Sequence, residues 1–196
     1  MASPPKAGIA SPVFRATSRD SNSKTLTMKI RSLLCAVLCL FSAPSFCKAL
    51  DVGAPAPDLS ALDQDGKTVQ FKDVYAKGPT LVYFYPKADT PGCTKQACSL
   101  RDDWSTLKAK GVQVLGVSGD KPESQKKFVD KFTLPFTLIA DSDSKVADAF
   151  GVPHLGPITK RQSFLIKDGK VVWTMPKAST DSHAKDVLAA LEQLSK

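Results

Sequence analysis

Cys93 and Cys98, five positions apart, are the residues whose type and spacing most clearly indicate chemistry in this sequence. A polar turn, residues 90–92, precedes Cys93 and follows a continuous apolar run at 80–85. Such a run is typical of a buried strand, and the apolar spacing of residues 93–110 is typical of a helix. Cys93 is therefore expected at the carboxyl end of a strand and near a helix N-terminus, where α/β proteins bind ligands and unpaired N–H groups favour an anion. The thiolate, which is the nucleophilic form of cysteine, is such an anion.

A helix terminus by itself supplies too little energy to ionise a cysteine almost completely at neutral pH. Lowering a thiol pKa from about 8.5 to about 6 requires about 3.4 kcal/mol, whereas a helix terminus contributes at most about 2 kcal/mol. We therefore expect a cation from elsewhere in the chain beside Cys93. A lone cysteine is more often buried and inert, but the polar turn and the second cysteine favour a reactive pair.

The residues around this segment predict one α/β domain over residues 50–196. Besides the run at 80–85, the predicted strands are 112–117 and 136–139, and the predicted helices are 93–110, 123–132, 145–150 and 181–194. The predicted hairpins are 59–62 with 68–71, and 163–167 with 170–174 around Asp168-Gly169. Strands joined by crossover helices predict a central mixed β-sheet with helices on both faces and an N-terminal β-hairpin.

The net charge of +8 is carried mostly by the first 49 residues. Residues 1–49 contain seven Lys and Arg against one acidic residue, whereas residues 50–196 have a net charge of only +2. Because the predicted domain is nearly neutral, its composition does not favour DNA or RNA binding. We interpret residues 1–49 as a targeting leader that is removed from the domain.

The leader has the pattern of a secretory signal. A short basic stretch that begins at Met28 precedes an apolar run at 32–41, and small residues follow as far as Ala49. The run is too short to span a membrane, and cleavage after Ala49 would leave a domain with no stable membrane association. One interpretation takes Met28 as the true start of an exported or periplasmic protein. A second takes residues 1–27 as the first part of a two-part transit leader to a plastid or another organelle, and a third retains an uncleaved anchor or a lipid on Cys47.

The pattern Pro86-x-x-x-Thr90-x-x-Cys93 resembles the active-site motif of the peroxiredoxins. A second cysteine five residues later, in Thr90-Pro91-Gly92-Cys93-Thr94-Lys95-Gln96-Ala97-Cys98, is similar to the peroxiredoxin Q subfamily, also called bacterioferritin comigratory protein. The resemblance covers residues 51–196 and none of 1–49. It implies a thioredoxin-like fold, an atypical two-cysteine thiol peroxidase that needs no cofactor, and a monomer.

The resemblance also implies a role for each residue of the motif. Cys93 matches the peroxidatic cysteine, Cys98 the resolving cysteine, Thr90 the residue that binds peroxide, Arg161 the residue that holds thiolate and peroxide, and Pro86 the residue that shields the thiolate. By this resemblance, Cys93 becomes a sulfenic acid and then a disulfide with Cys98, which thioredoxin or a similar dithiol donor reduces. The expected activity is reduction of hydrogen peroxide and organic hydroperoxides, as antioxidant defence.

Several of these residues also have simpler interpretations from the sequence alone. Thr90 could only cap the following helix, Arg161 could be a solvated charge, and Tyr85 is expected in the core. Gln96 departs from the family pattern, in which many relatives have Glu, and the change removes a negative charge near Cys93.

Other functions are less well supported by the residues. A thioredoxin-like protein disulfide oxidoreductase, the alternative function, would use C-x-x-C rather than four intervening residues. A non-catalytic binding domain would not need the complete motif. His154 and His183 are isolated, and the cysteine spacing matches no common zinc pattern, so neither a metal nor a cofactor is expected.

Overall fold

The computed structural model describes residues 48–194 of the chain. The predicted leader falls on residues that lie almost wholly outside this range, so its boundary with the domain stays a prediction. Within residues 48–194, no helix is both long enough and apolar enough to cross a membrane.

The described residues form a mixed α/β structure. Its strands are β1 Ser60–Asp63, β2 Thr68–Gln70, β3 Thr80–Phe84, β4 Gln113–Ser118, β5 Thr137–Ala140, β6 His154–Leu155, β7 Ile158–Thr159, β8 Gln162–Lys167 and β9 Lys170–Met175. Its helices are α1 Phe71–Tyr75, α2 Pro91–Asp102, α3 Trp104–Ala109, α4 Pro122–Phe132, α5 Lys145–Phe150 and α6 His183–Gln193. Seven strands form one sheet in the order β2-β1-β5-β4-β3-β8-β9, and β6 pairs with β7 separately.

The central sheet is mixed, as the sequence predicts. Strand β3 pairs in parallel with β4 and antiparallel with β8, and β4 pairs in parallel with β5. The N-terminal hairpin is the antiparallel pair of β1 and β2. These pairings place β3 between β4 and β8, so its carboxyl end lies inside the sheet rather than at an edge.

Helices cover both faces of the sheet because successive residues of a strand point to opposite faces. Leu81 and Tyr83 of β3 belong to a core cluster with residues of α2, α3, α4 and α6. Val82 and Phe84 belong to a second cluster with residues of α1 and α5. All five residues of β3 are buried, which explains why its sequence is continuously apolar rather than alternating.

Three local features differ from the sequence prediction. Phe71 begins α1 instead of ending a strand, because its fully buried ring packs against the rings of Tyr75 and Phe150. The helix predicted at 93–110 is two helices separated at Asp103, whose backbone (φ −95°, ψ 12°) leaves the helical conformation. The short ribbon of β6 and β7 is not predicted, because two-residue strands have no measurable periodicity.

Gly116 in β4 makes room for an aromatic side chain beneath the site. A Cβ atom at this position would lie 2.7 Å from the ring of Tyr83 and 2.6 Å from Leu138. Tyr83 is the residue paired with Gly116 across the two parallel strands. The absence of a side chain therefore lets the Tyr83 ring lie across β4, in contact with the helices on that face.

Candidate active site

Cys93 lies in the first turn of α2, at the point where the chain leaves the carboxyl end of β3. The helix begins at Pro91, a residue favoured at the first helical position because it has no N–H to leave unpaired. The N–H of Thr94 donates to the carbonyl of Thr90 at 2.8 Å and closes the first turn. Cys93 is only 2% exposed. The predicted position, after a buried strand and at a helix N-terminus, is confirmed.

Arg161 supplies the cation that the sequence requires beside Cys93. Its Nη2 lies 3.2 Å from Cys93 Sγ. The contact arises because β8 is antiparallel to β3, so that Gln162 pairs with Phe84 and the residue before β8 meets the residues that follow β3. A Cβ atom at Gly92 would lie 3.4 Å from the same Nη2, so the guanidinium is also close to the helix backbone. The interpretation of Arg161 as a solvated surface charge is wrong.

Thr90 is the N-cap residue of α2, but its side chain does not cap the helix. Instead, Thr90 Oγ1 donates to the carbonyl of Lys87 at 3.0 Å. This bond uses the hydroxyl proton, and the oxygen keeps the capacity to accept a hydrogen bond. Thr90 is therefore available as an acceptor at the start of the helix that carries Cys93.

Pro86 and Cys98 lie at the positions that the sequence predicts, before α2 and within it. Pro86 is half-buried in the loop between β3 and α2. Cys98 is half-buried in α2, and both it and Cys93 are free thiols in this structure. Two residues five apart on an ideal α-helix have Cα atoms about 8.7 Å apart, whereas a disulfide requires less than about 7 Å. The two thiols therefore cannot join while α2 is intact.

A buried polar chain continues from Arg161 into the core. Arg161 Nη1 donates to Gln96 Oε1, Gln96 Nε2 lies 3.1 Å from His183 Nδ1, and His183 Nε2 lies 2.9 Å from Ser163 Oγ. The pKa of His183 is lowered to about 4, mainly by burial, with Asp186 opposing the shift and Arg161 adding to it. The sequence does not reveal this polar chain, because its residues come from α2, α6, β8 and the segment before β8, and they share no motif.

A second buried network holds the loop between β3 and α2. The fully buried Tyr85 donates its hydroxyl hydrogen to Gln125 Oε1, and burial raises its pKa well above the usual value. Asp120 Oδ2 accepts from the N–H of Ala88 at 2.7 Å, and Thr159 Oγ1 donates to the carbonyl of Tyr85 at 2.9 Å. Tyr85 is therefore a core residue, as predicted, and the loop that leads to Thr90 is held at Tyr85 and at Ala88.

Neither histidine of the described residues lies in a metal-binding group. His154 Nε2 lies 3.0 Å from the Asp148 carboxylate, which raises the pKa of His154. His183 is bonded within the polar chain behind Arg161. In the part of the chain that the structure describes, no three His, Cys, Asp or Glu side chains are grouped closely enough to hold a metal ion.

The fold and the site together define a class of protein. A mixed β-sheet covered by helices places a buried thiol at a helix N-terminus, and a guanidinium contacts the sulfur of that thiol. This is the arrangement of a thiol-based oxidoreductase. Residues 52–174 match the AhpC/TSA family. The chain belongs to this family.

Relatives of known sequence and structure identify the branch of the family. The chain is 38% identical over 169 residues to the chloroplastic peroxiredoxin Q of Gentiana triflora, a match that covers 78% of this chain and 77% of that protein. It is 45% identical over 152 residues to peroxiredoxin Bcp of Escherichia coli strain K12, which covers 74% of this chain and 97% of that protein. The crystal structure of peroxidoxin BcpB from Mycobacterium tuberculosis superposes with a TM-score of 0.70 at 33% identity, over 74% of this chain and 98% of that one.

These similarities confirm the resemblance drawn from the Pro86-to-Cys98 segment. The protein is a thiol peroxidase with a thioredoxin-like fold, an oxidoreductase that acts on peroxide and is served by a thioredoxin-type reductant. The disulfide oxidoreductase alternative is not favoured.

Proposed function

We propose that Cys93 is the peroxidatic residue of this peroxiredoxin and that Arg161 and Thr90 stabilise its reaction with peroxide. The observation that carries the proposal is the 3.2 Å contact between Arg161 Nη2 and Cys93 Sγ. A guanidinium in this position stabilises the thiolate before the reaction. It also stabilises the charge that develops on the peroxide oxygens during the reaction, as the donors of an oxyanion hole do.

The first step forms one S–O bond and breaks the O–O bond. The thiolate of Cys93 attacks the terminal oxygen of the peroxide and gives up an electron pair, so that a sulfenic acid forms and the other oxygen leaves as alkoxide or hydroxide. The leaving oxygen takes a proton from water and departs as alcohol or water. The Thr90 oxygen, whose own proton is donated to Lys87, accepts the hydrogen bond of the peroxide O–H and orients it.

The second step requires α2 to unwind. Cys98 condenses with the sulfenic acid of Cys93, which forms the disulfide and releases water. Because the intact helix separates the two residues by about 8.7 Å, the first turns of α2 must open before the bond can form. Unwinding removes Cys93 from the helix N-terminus and from Arg161, so the oxidised site is inactive until a thioredoxin-type dithiol reduces it. Pro86, in the preceding loop, shields the thiolate in the closed form.

The substrates that we propose are hydrogen peroxide and alkyl hydroperoxides. A bacterioferritin comigratory protein of Xanthomonas campestris, described for its alkyl peroxide reduction activity, is 28% identical to this chain and superposes with a TM-score of 0.68. It covers 74% of this chain. This similarity supports organic peroxides as substrates in addition to hydrogen peroxide.

We further propose that residues 1–49 are a cleaved leader and that the mature protein is a monomer without stable membrane association. The nitrogen of Leu50 donates to the carbonyl of Phe150 at 3.1 Å, and a chain that begins at Leu50 keeps this donor as its α-amino group. Cleavage there removes Ala49, which packs against the core cluster that contains Phe150. Export is one destination for such a leader. The plant relatives are named chloroplastic, which supports a plastid as the alternative destination.

Peroxide consumption with two reductants tests the proposed roles. The full chain is used with the leader cysteines Cys35, Cys39 and Cys47 replaced by alanine, so that only two thiols react. With dithiothreitol, Cys93→Ser should consume no peroxide, whereas Cys98→Ser should still turn over because the small dithiol reaches the sulfenic acid directly. With thioredoxin, Cys98→Ser should react once and stop. Retained peroxidase activity in Cys93→Ser would show that another group is the nucleophile.

A further inference from the structure

The polar chain behind the active site has only one consistent arrangement of protons. A guanidinium donates hydrogen bonds and accepts none, so the amide oxygen of Gln96 must face Arg161. The amide nitrogen then faces His183 and donates to Nδ1, which must carry no proton. The ring proton is therefore on Nε2, which donates to Ser163 Oγ. Each of these three hydrogen bonds is donated in the direction that leads away from the active site.

Arg161 and His183 together set this order, because an amide without either neighbour would have no preferred orientation. The side chain of Gln96 presents an oxygen on one side and a nitrogen on the other, and a half-turn exchanges them. Gln96, His183 and Ser163 are all fully buried, so water does not compensate for a wrong orientation. An unprotonated Nδ1 accepts only the nitrogen side, and this contact directs the oxygen of Gln96 toward Arg161.

We propose that His183 is a positioning residue of the peroxidatic site. It holds the amide of Gln96 with its oxygen toward Arg161, and Gln96 in turn holds the guanidinium so that Nη2 contacts Cys93 Sγ. The proposal rests on the role of Arg161 in the proposed function. His183 itself touches neither Cys93 nor the position of the peroxide, and acts through two other side chains.

The surroundings of His183 keep its ring neutral. The ring packs edge-on against Tyr83 of β3, at 5.7 Å between ring centroids. The charged groups that act on it are Arg161, from the segment before β8, which lowers its pKa, and Asp186, on its own helix, which raises it. Burial dominates and lowers the pKa to about 4. A protonated ring would have two donors, and the Gln96 amide would have to turn its nitrogen toward the guanidinium, where two donors cannot bond.

The kinetic test compares three substitutions at two positions. In His183→Asn, the amide oxygen replaces Nδ1 as the acceptor for Gln96, so the rate constant for oxidation of Cys93 by hydrogen peroxide should stay within about threefold of the unmodified protein. His183→Leu removes the acceptor, and Gln96→Leu removes the link, so each should lower that rate constant by about tenfold. If His183 acts through Gln96, the double variant should be no slower than Gln96→Leu alone. Additive losses would overturn the proposal, as would an unchanged rate constant in His183→Leu.

A matched control separates positioning from loss of helix packing. Val187→Ala removes buried volume from the same helix without touching the polar chain. It should lower the unfolding midpoint in urea while leaving the rate constant unchanged. An equal slowing in Val187→Ala and His183→Leu would mean that any damage to α6 disturbs the site, and would refute the proposal.

A spectroscopic measurement tests the proton arrangement without a substitution. The chain contains two histidines, so 15N-labelled imidazole signals are readily assigned. At pH 7, His183 should be neutral with its proton on Nε2, and a proton on Nδ1 would contradict the proposal even if every variant failed to fold.

Arg161→Ala provides the remaining comparison. If it reacts at the normal rate, the proposed function is wrong in its use of Arg161; if it is slow while His183→Leu is not, only the role of His183 is wrong.

Discussion

Removing the guanidinium of Arg161 should slow peroxide reduction without unfolding the protein. In Arg161→Ala, Cys93 loses its contact at 3.2 Å, and the amide oxygen of Gln96 loses the donor that it accepts from. Of the two groups that stabilise the Cys93 thiolate, Arg161 and the N-terminus of α2, only the helix N-terminus remains. Arg161 is partly exposed, so its loss creates no large cavity in the core.

The size of the effect follows from the hydrogen bond that is lost. A hydrogen bond to a charged group contributes about 1.5 to 3 kcal/mol, which corresponds to a factor of about 10 to 150 in rate. Because solvent reaches part of the Arg161 side chain, we expect the lower part of this range, about 10- to 50-fold. Arg161→Lys should recover only part of the loss, since the guanidinium contacts Cys93 Sγ and Gln96 Oε1 through two separate nitrogens and lysine has only one.

The assay is a single-turnover measurement of Cys93 oxidation at pH 7 over a range of hydrogen peroxide concentrations. Lys160→Ala is the matched control, because it removes the same charge from the adjacent, exposed position. We expect the second-order rate constant of the control to stay within about twofold of the unmodified protein, as is usual for a surface charge. A change below about threefold in Arg161→Ala, or equal losses in the two variants, would refute the reasoning from contact geometry.

Three further predictions concern the helix, the buried histidine and the leader. In the oxidised protein, amide exchange across residues 94–101 should be faster than in the reduced protein, and Cys98→Ser should abolish this difference; equal protection in both redox states would show that α2 does not unwind. The pKa of His183 is about 4 in the folded protein against about 6.5 unfolded, so the unfolded state binds more protons between these values and stability falls as pH falls from about 6.5 to about 4. Relative to His183→Asn, the unmodified protein should lose about 3 kcal/mol of unfolding free energy over that window, measured by urea denaturation at each pH; parallel profiles would contradict a neutral buried ring. N-terminal sequencing of the mature protein should begin near Leu50, whereas a soluble form that starts at Met1 would exclude a cleaved leader.

Local patterns in the sequence were sufficient to predict most of the fold. The buried strand β3, the hairpin at Asp168-Gly169 and the position of Cys93 after β3 all follow from apolar periodicity and turn chemistry. The end of α5 is also local, because Gly151 adopts the left-handed conformation (φ 64°) that closes a helix. These features depend on neighbouring residues, so one sequence is enough to infer them. Helix α1 was missed because its buried Phe71 packs against the distant Phe150. The ribbon of β6 and β7 was missed because two-residue strands have no measurable periodicity.

The candidate active site also combines local features, which the sequence predicts, with long-range contacts, which it does not. The sequence by itself determined that Cys93 would lie at a helix start, and it predicted that a reactive thiol there would need a cation, because helix geometry and charge stabilisation are local properties. Only the tertiary structure decided which cation it is and what holds it. Arg161 lies 68 residues from Cys93 along the chain, and the antiparallel pairing of β8 with β3 brings the two together. Gln96 of α2 links Arg161 to His183, and His183 contacts Ser163. No spacing in the sequence encodes these contacts.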